Sequence, residues 1–333
     1  MQRHCNIPIF IPQKACPHQC IYCNQRYISG HQTAPTLDEV KRTIDTYLTS
    51  LSEATDVQVA FFGGTFTGLD LQEQKDYLQV VKTYIDNGQI QSVRLSTRPD
   101  YIDCEVLDLL KEYGVKDIEL GAQSLDDEVL SFSQRGHTAS DVEKASDLIK
   151  SYGFDLGLQM MIGLPKDTLP KSIATAEKII SLGAVSTRIY PTLVIDRTPL
   201  ATLYRQGEYK PLDIQTAVLW SKEIYQMFVE AGVTVLRVGL HPSEDLLNGK
   251  GYVAGPFHVS FLELVKTEMW ADRFAALPQD IKTITVNPKD INYAIGYKSK
   301  NYNALKHRFP SIRFIQDKNV LQDTFLVNSD TDN

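Results

Sequence analysis

Along the first two hundred residues, apolar positions switch repeatedly between two spacings. Leu37, Val40, Ile44, Leu48 and Leu51 recur three and four apart. This predicts a helix over 36–51, with Thr36 and Glu39 as a capping box. A near-continuous apolar run, Asp56 to Phe62, follows and reads as a buried strand ending in Gly63-Gly64-Thr65. The alternation then repeats. Strands are predicted at 92–97, 117–121, 156–162 and 186–195, and helices at 71–85, 105–113, 140–152 and 171–182. Gly114, Gly153 and Gly183 stand where those last three helices should stop. With the run Ile7 to Pro12 as a first strand, six β–α units follow one another. Such a series makes a parallel sheet, and right-handed crossovers curl it into an open barrel. The predicted fold class is α/β: a partial (β/α)6 barrel followed by a small C-terminal α/β module. In such sheets the site lies at the C-terminal strand ends.

A helix over 214–231 and a strand over 233–240 continue the chain. A glycine-rich break around Asn248–Gly251 and Gly255-Pro256 then places a boundary. The barrel is expected over 1–250 and the smaller module over 251–333.

Length and composition narrow the class. The chain of 333 residues is long enough for one large domain with an appendix. Its net charge of −7 excludes a uniformly basic polyanion binder, leaving room only for a local basic patch. Five cysteines, three of them in one motif, do not form a disulfide framework. No apolar run reaches membrane-spanning length, and Met1 to Cys5 opens no apolar leader. A reducing, cytoplasmic setting is expected.

The chemistry concentrates at Cys16-Pro17-His18-Gln19-Cys20-Ile21-Tyr22-Cys23, just after the first strand. Three thiolates on one loop can surround a soft metal centre. Structural zinc takes four ligands, and the remaining cysteines, Cys5 and Cys104, form no second knuckle. His18 is the local alternative as a fourth donor, though it sits inside the loop. An iron–sulfur cluster is also held by thiolates, and three of them leave one of four irons open.

The spacing, with an aromatic before the third cysteine, resembles the radical S-adenosylmethionine (radical SAM) superfamily. The resemblance implies a [4Fe-4S] cluster on Cys16, Cys20 and Cys23, with SAM chelating the open iron. It also implies reductive cleavage of SAM to a 5′-deoxyadenosyl radical and a reducing electron donor as a partner. Further roles follow by position. Tyr22 is the motif's aromatic. Gly63, Gly64 and Thr65 match the stretch that holds the SAM amino group, with Thr65 where a Glu is common. Thr97, at the third strand end, and Gln123, at the fourth, match positions near the ribose. Arg135 matches the arginine set against the SAM carboxylate, and Gln159 and Met161 lie where the adenosine packs.

Arg98-Pro99-Asp100-Tyr101, Glu119 to Ser124, Arg135-Gly136-His137-Thr138 and Tyr190 to Ile195 are together similar to the catalytic subunit of Elongator, over about 5–212. That family modifies the wobble uridine of tRNA, so tRNA is the implied partner. The cysteine loop here is more compact, and these residues hold no stretch matching an acetyltransferase domain. The compact loop and Gly163-Leu164-Pro165 are also similar to oxygen-independent coproporphyrinogen oxidase, which implies a small-molecule alternative. In the C-terminal module, a strand at 283–288, the loop Gly296-Tyr297-Lys298-Ser299, a helix at 302–309 and a strand at 311–315 look like a KH module. On that likeness Gly296, Lys298 and Lys300 are candidate RNA contacts. Eight Lys and Arg against Asp290 and Asp317 over 282–318 fit it. The competing expectation is a structural cap.

Overall fold

The computed structural model describes residues 3–12, 16, 20–25, 33–51, 55–240 and 244–329. By contacts the chain divides into two compact units. One is Met1–Asp213 with Ile224–Phe257; the other is Ile214–Glu223 with His258–Asn333. The division thus falls after Phe257, beside the expected boundary after 250, and the second unit takes a helical stretch from further upstream.

The first unit is built on a seven-stranded sheet. Its strands are β1 (Arg3–Ile11), β2 (Thr55–Gly63), β3 (Ser92–Thr97), β4 (Val115–Gln123), β5 (Asp155–Ile162) and β6 (Ser186–Pro191), with a short β7 (Val194–Ile195) outside it and β8 (Thr234–Val238) as the seventh member. The sheet order is β1-β2-β3-β4-β5-β6-β8, and every neighbouring pair is parallel. Among the described residues β1 and β8 pair only on one side, so the curl stays an open half-barrel. The connecting helices are α1 (Leu37–Ser50), α2 (Leu71–Asp86), α3 (Cys104–Glu112), α4 (Asp127–Phe132), α5 (Ala139–Ser151) and α6 (Leu169–Ser181). Thr36 caps α1 in the expected capping box with Glu39. Thr138 does the same for α5 with Asp141.

Strand alternation sorts the residues by face. Val59, Leu95, Ile118, Leu120, Leu158 and Ile189 are fully buried and face the helices. Gln58, Arg94, Ser96, Asp117, Glu119, Gln159 and Arg188 have the opposite parity and line the inside of the curl. One expected strand breaks in two. The run 186–195 leaves the sheet at Pro191, Thr192 donates its N–H to Ile162 O at 3.0 Å, and β7 pairs antiparallel with β9 (Tyr252–Ala254). After β7 come α7 (Pro199–Arg205), α8 (Ile214–Glu230) and α9 (Glu244–Leu247).

The second unit contains α10 (Phe261–Ala275), β10 (Ile281–Val286), α11 (Ile291–Ile295), α12 (Lys300–Arg308), β11 (Arg313–Gln316) and β12 (Phe325–Ser329). Its sheet order is β11-β10-β12, with β11 parallel and β12 antiparallel to β10. Trp270, Phe274, Ile284, Val286, Leu305 and Phe309 form its core. No helix among the described residues is long and apolar enough to cross a membrane.

Candidate functional site at the cysteine loop

The cysteine loop is pinned on two sides. Ile21 donates its N–H to Ser133 O at the end of α4, at 3.2 Å, and accepts from Leu200 N of α7 at 2.8 Å. Cys23 N bonds Cys20 O at 3.0 Å, closing the turn. Cys20, Ile21 and Tyr22 bury themselves against Val129, Leu164, Val194 and Leu200, with Met161 half-buried alongside. The apolar seat fixes the loop, and the backbone bonds fix its register. His18, the alternative fourth donor, lies outside the described residues.

The three thiols sense one another. Burial first, then the charges of Cys20 and Cys16, push the Cys23 thiol up to about 12. A Cys23 thiol pushed up in this way suits a cationic group that would hold it as a thiolate. Among the described residues, no three His, Cys, Asp or Glu side chains converge on a single metal ion. A four-iron cluster has a different requirement, since each thiolate binds a separate iron. The Cys16 Sγ lies 3.6 Å from Thr65 Oγ1, and Cys20 Sγ accepts from Arg135 Nη1 at 3.4 Å.

Arg135 joins the loop to the sheet. Its Nη2 donates to Gly121 O on β4 at 2.6 Å, and a Cβ at Gly121 would sit 2.7 Å from that nitrogen. Its Nε is buried and has no partner among the described residues; the same holds for the Tyr22 hydroxyl and His137 Nε2. Buried polar atoms without partners are uncommon in folded chains, and these three gather around the Arg135 guanidinium. At the end of β2, Gly63 has φ +118°, and a Cβ there would lie 2.4 Å from Ile11 O. Only glycine fits that approach. Gly64 N bonds Ile11 O at 2.8 Å, and Gln25 Nε2 bonds Gly63 O at 2.6 Å. A thiol trio, a buried guanidinium with an unpaired N–H and a glycine cradle fit a thiolate-held cluster beside a carboxylate ligand.

Other expected residues fall elsewhere. Thr97 points away from the curl; it is buried, and its hydroxyl is 2.6 Å from Thr67 Oγ1. That hydroxyl is engaged by Thr67, on the face opposite to Ser96. Ser96, one residue earlier, faces inward and accepts from Gln159 Nε2 at 3.1 Å. Gln123 ends β4 in a left-handed conformation, φ +66°, with its amide near Gly121.

Below the mouth lies a charge network that sequence reasoning missed. Arg94 donates to Glu119 Oε1 at 3.1 Å, Asp117 Oδ1 at 2.6 Å and Gln58 Oε1 at 3.0 Å. Arg188 grips Glu119 with Nε at 2.6 Å and Nη2 at 3.0 Å, and lies over the Phe62 ring, 5.1 Å from its centroid. Gln159 Nε2 adds a bond to Glu119 Oε2 at 2.9 Å. Burial pushes the Glu119 carboxyl up, but the bonds and charge of Arg188, with Arg94 and Gln159, outweigh it and hold the group ionised. The available signal was polar residues at period two inside apolar strands: Gln58, Arg94, Asp117, Glu119 and Arg188.

In the second unit the loop before α12 takes left-handed backbone at Lys298 (φ +51°) and Ser299 (φ +60°), after Gly296 at φ +82°. Tyr297 N bonds Thr267 Oγ1 of α10 at 2.8 Å, and a Cβ on Gly296 would be 2.9 Å from Thr267 Cγ2. Packing on α10 therefore already explains this glycine. Lys298 lies over the Tyr297 ring, and Lys300 pairs with Glu268.

Comparison with known proteins supplies the frame. The chain is 27% identical over 230 residues to the tRNA uridine(34) acetyltransferase of Dehalococcoides mccartyi (strain CBDB1), covering 59% of this chain and 50% of that one. It is 28% identical over 244 residues to Elongator complex protein 3 of Saccharomyces cerevisiae, covering 59% and 43%. The chain thus spans about half the length of the curated relatives it matches. Its fold is similar to that of the archaeal Methanocaldococcus infernus Elp3 with an N-terminal deletion, with TM-score 0.65 and 19% identity, over 82% of this chain and 64% of that one. Residues 185–271 match the Radical_SAM C-terminal domain. Residues 10–179 match the Radical SAM superfamily, so the chain belongs to that superfamily of enzymes, which work with a [4Fe-4S] cluster and SAM.

Proposed function

We propose that this radical SAM enzyme modifies RNA, with the wobble uridine of tRNA as its substrate. The observation that carries the reading is the set of relatives named as tRNA uridine(34) acetyltransferases, matched over about 60% of this chain. In this reading Cys16, Cys20 and Cys23 hold the cluster. Arg135 turns its unpaired Nε toward the SAM carboxylate, a charge-assisted bond in a dry setting. Gly63, Gly64 and Thr65 receive the amino group, Ser96 and Gln123 lie toward the ribose, and Gln159 and Met161 pack the adenosine. What the loaded cluster supplies is one electron to the sulfonium, which releases methionine and a 5′-deoxyadenosyl radical. A reducing partner must provide that electron. The protein's own part is to position these groups and exclude water. The basic stretch 282–318 offers phosphate contacts, with Lys298 and Lys300 the first to test.

The test is a titration of tRNA onto the anaerobically reconstituted protein at several salt concentrations, beside a Lys298→Glu/Lys300→Glu double variant. Counterion release makes phosphate-driven binding fall with salt. Binding that weakens in the double variant, with a flatter salt slope and unchanged SAM cleavage, supports the reading. No binding of tRNA at low salt overturns it.

A further inference from the structure

Each sulfur of the cysteine loop has a hydrogen-bond donor of its own. Thr65 Oγ1 lies 3.6 Å from Cys16 Sγ. Arg135 Nη1 donates to Cys20 Sγ at 3.4 Å. Burial pushes the Cys23 thiol up, and the backbone N–H of Gln25 pulls it back. The three donors differ in kind. Gln25 offers a main-chain amide. Thr65 offers a neutral hydroxyl, and once the Cys16 sulfur is a thiolate only that hydroxyl can donate. Arg135 offers a full positive charge, and its guanidinium is held from the other side, where Nη2 donates to Gly121 O at 2.6 Å. Arg135 is 8% exposed, Cys20 5% and Thr65 3%, so water screens these contacts little.

We propose that Arg135 and Thr65 set the reduction potential of the iron–sulfur cluster: the hydrogen bonds they give to the Cys20 and Cys16 sulfurs make the cluster easier to reduce. Reduction adds one negative charge to the cluster and its thiolates. Donors aimed at the sulfurs stabilise the more negative state, and net charge beside the cluster acts in the same direction. A bond from an ionised donor is about twice as strong as one from a neutral donor, so Arg135 carries the larger share. The electron itself comes from the one-electron reductant that cleavage of SAM requires. The inference rests on the three cysteines as the cluster's ligands and is independent of the RNA reading. It gives Arg135 a task that precedes the cofactor, because Nη1 acts on the Cys20 sulfur whether or not Nε has met a carboxylate.

The test is a redox titration of anaerobically reconstituted protein without SAM, so that weakened SAM binding does not enter. The reduced cluster is followed by its electron paramagnetic resonance signal, and iron and sulfide are assayed in every sample. Arg135→Leu should shift the reduction equilibrium about tenfold toward the oxidised cluster, a potential lower by about 59 mV. Thr65→Val should shift it about threefold, since a neutral donor gives about half the free energy. Arg135→Lys keeps the charge without the planar fork and should recover part of the loss. Wild-type protein carrying isotopically labelled arginine nitrogen adds a measurement with no substitution: pulsed paramagnetic resonance of its reduced cluster should show coupling to an arginine nitrogen. A variant that takes up no iron therefore does not block the result. Either a loaded Arg135→Leu that titrates with the wild type, or a labelled wild type without that coupling, overturns the tuning role and leaves the cysteine ligands standing. If the wild type assembles no four-iron cluster, the ligand reading and the tuning role fall together.

Discussion

The floor and the mouth of the half-barrel are made by the same strands, a few residues apart, and their polar groups are treated in opposite ways. On the floor, Glu119 accepts from Arg94, Arg188 and Gln159, and Arg94 also reaches Asp117 and Gln58. At the mouth, Arg135 Nε, the Tyr22 hydroxyl and His137 Nε2 are buried without partners among the described residues. A satisfied network stiffens a fold, whereas an unsatisfied one stores affinity for whatever completes it. The difference separates residues that should matter for stability from residues that should matter for ligands.

Breaking the floor should have the largest effect. Glu119→Gln removes the charge that two buried guanidinium groups share. Unfolding free energy should fall by about 3–5 kcal/mol, as for other broken buried pairs. Urea denaturation of the cluster-free protein measures it; a loss below about 1 kcal/mol would mean the floor is not the rigid part.

Next comes His137, at the mouth. Burial first, then the charges of Arg135 and Arg98, push its imidazole down from 6.5 to about 4. The folded protein keeps this ring neutral until about pH 4, while the unfolded chain takes up its proton near pH 6.5. Stability is therefore fully present above pH 6.5 and is lost as pH falls through that window, by about 3 kcal/mol in all. His137→Leu should remove that portion of the slope. A wild-type and variant pair with superimposable stability–pH curves would contradict the assignment.

Arg135→Ala sharpens the contrast from the other side. It should weaken SAM binding by roughly 1.5–3 kcal/mol, the cost of one charge-assisted hydrogen bond. Its effect on unfolding should be the smaller one, because among the described residues its side chain bonds only Gly121 O and Cys20 Sγ. A variant that binds SAM like the parent but melts early would move Arg135 to the floor class.

The smallest effect is expected at Thr97. Thr97→Val loses one hydroxyl pair with Thr67, which should lower stability by about 1 kcal/mol and leave SAM binding unaltered. A clear loss of SAM affinity would return Thr97 to the ligand.

How much of this could be read from the sequence depends on whether the information was local. The β–α alternation, the Thr36 capping box and the cysteine spacing are local patterns, and each was legible. Strand parity was legible too, and Leu95 beside Thr97 already placed that hydroxyl on the helix side. What period-two alternation cannot supply is the partner across the sheet. Arg94, Glu119 and Arg188 lie on three strands, and nothing within any one strand says that their charges meet. The end of β6 carried a signal in Pro191, which has no N–H for a ladder. The left-handed turn at Lys298 and Ser299 carried none, because neither residue type favours it.

The cysteine loop follows β1, an edge strand held by a single ladder to β2. Strands inside the sheet are held on both sides. Detaching β1 breaks one row of hydrogen bonds and leaves the other six strands of the sheet paired. Local opening of this kind costs less than global unfolding. Six strands of the sheet can therefore stay paired while the edge that leads into the cysteine loop opens and closes.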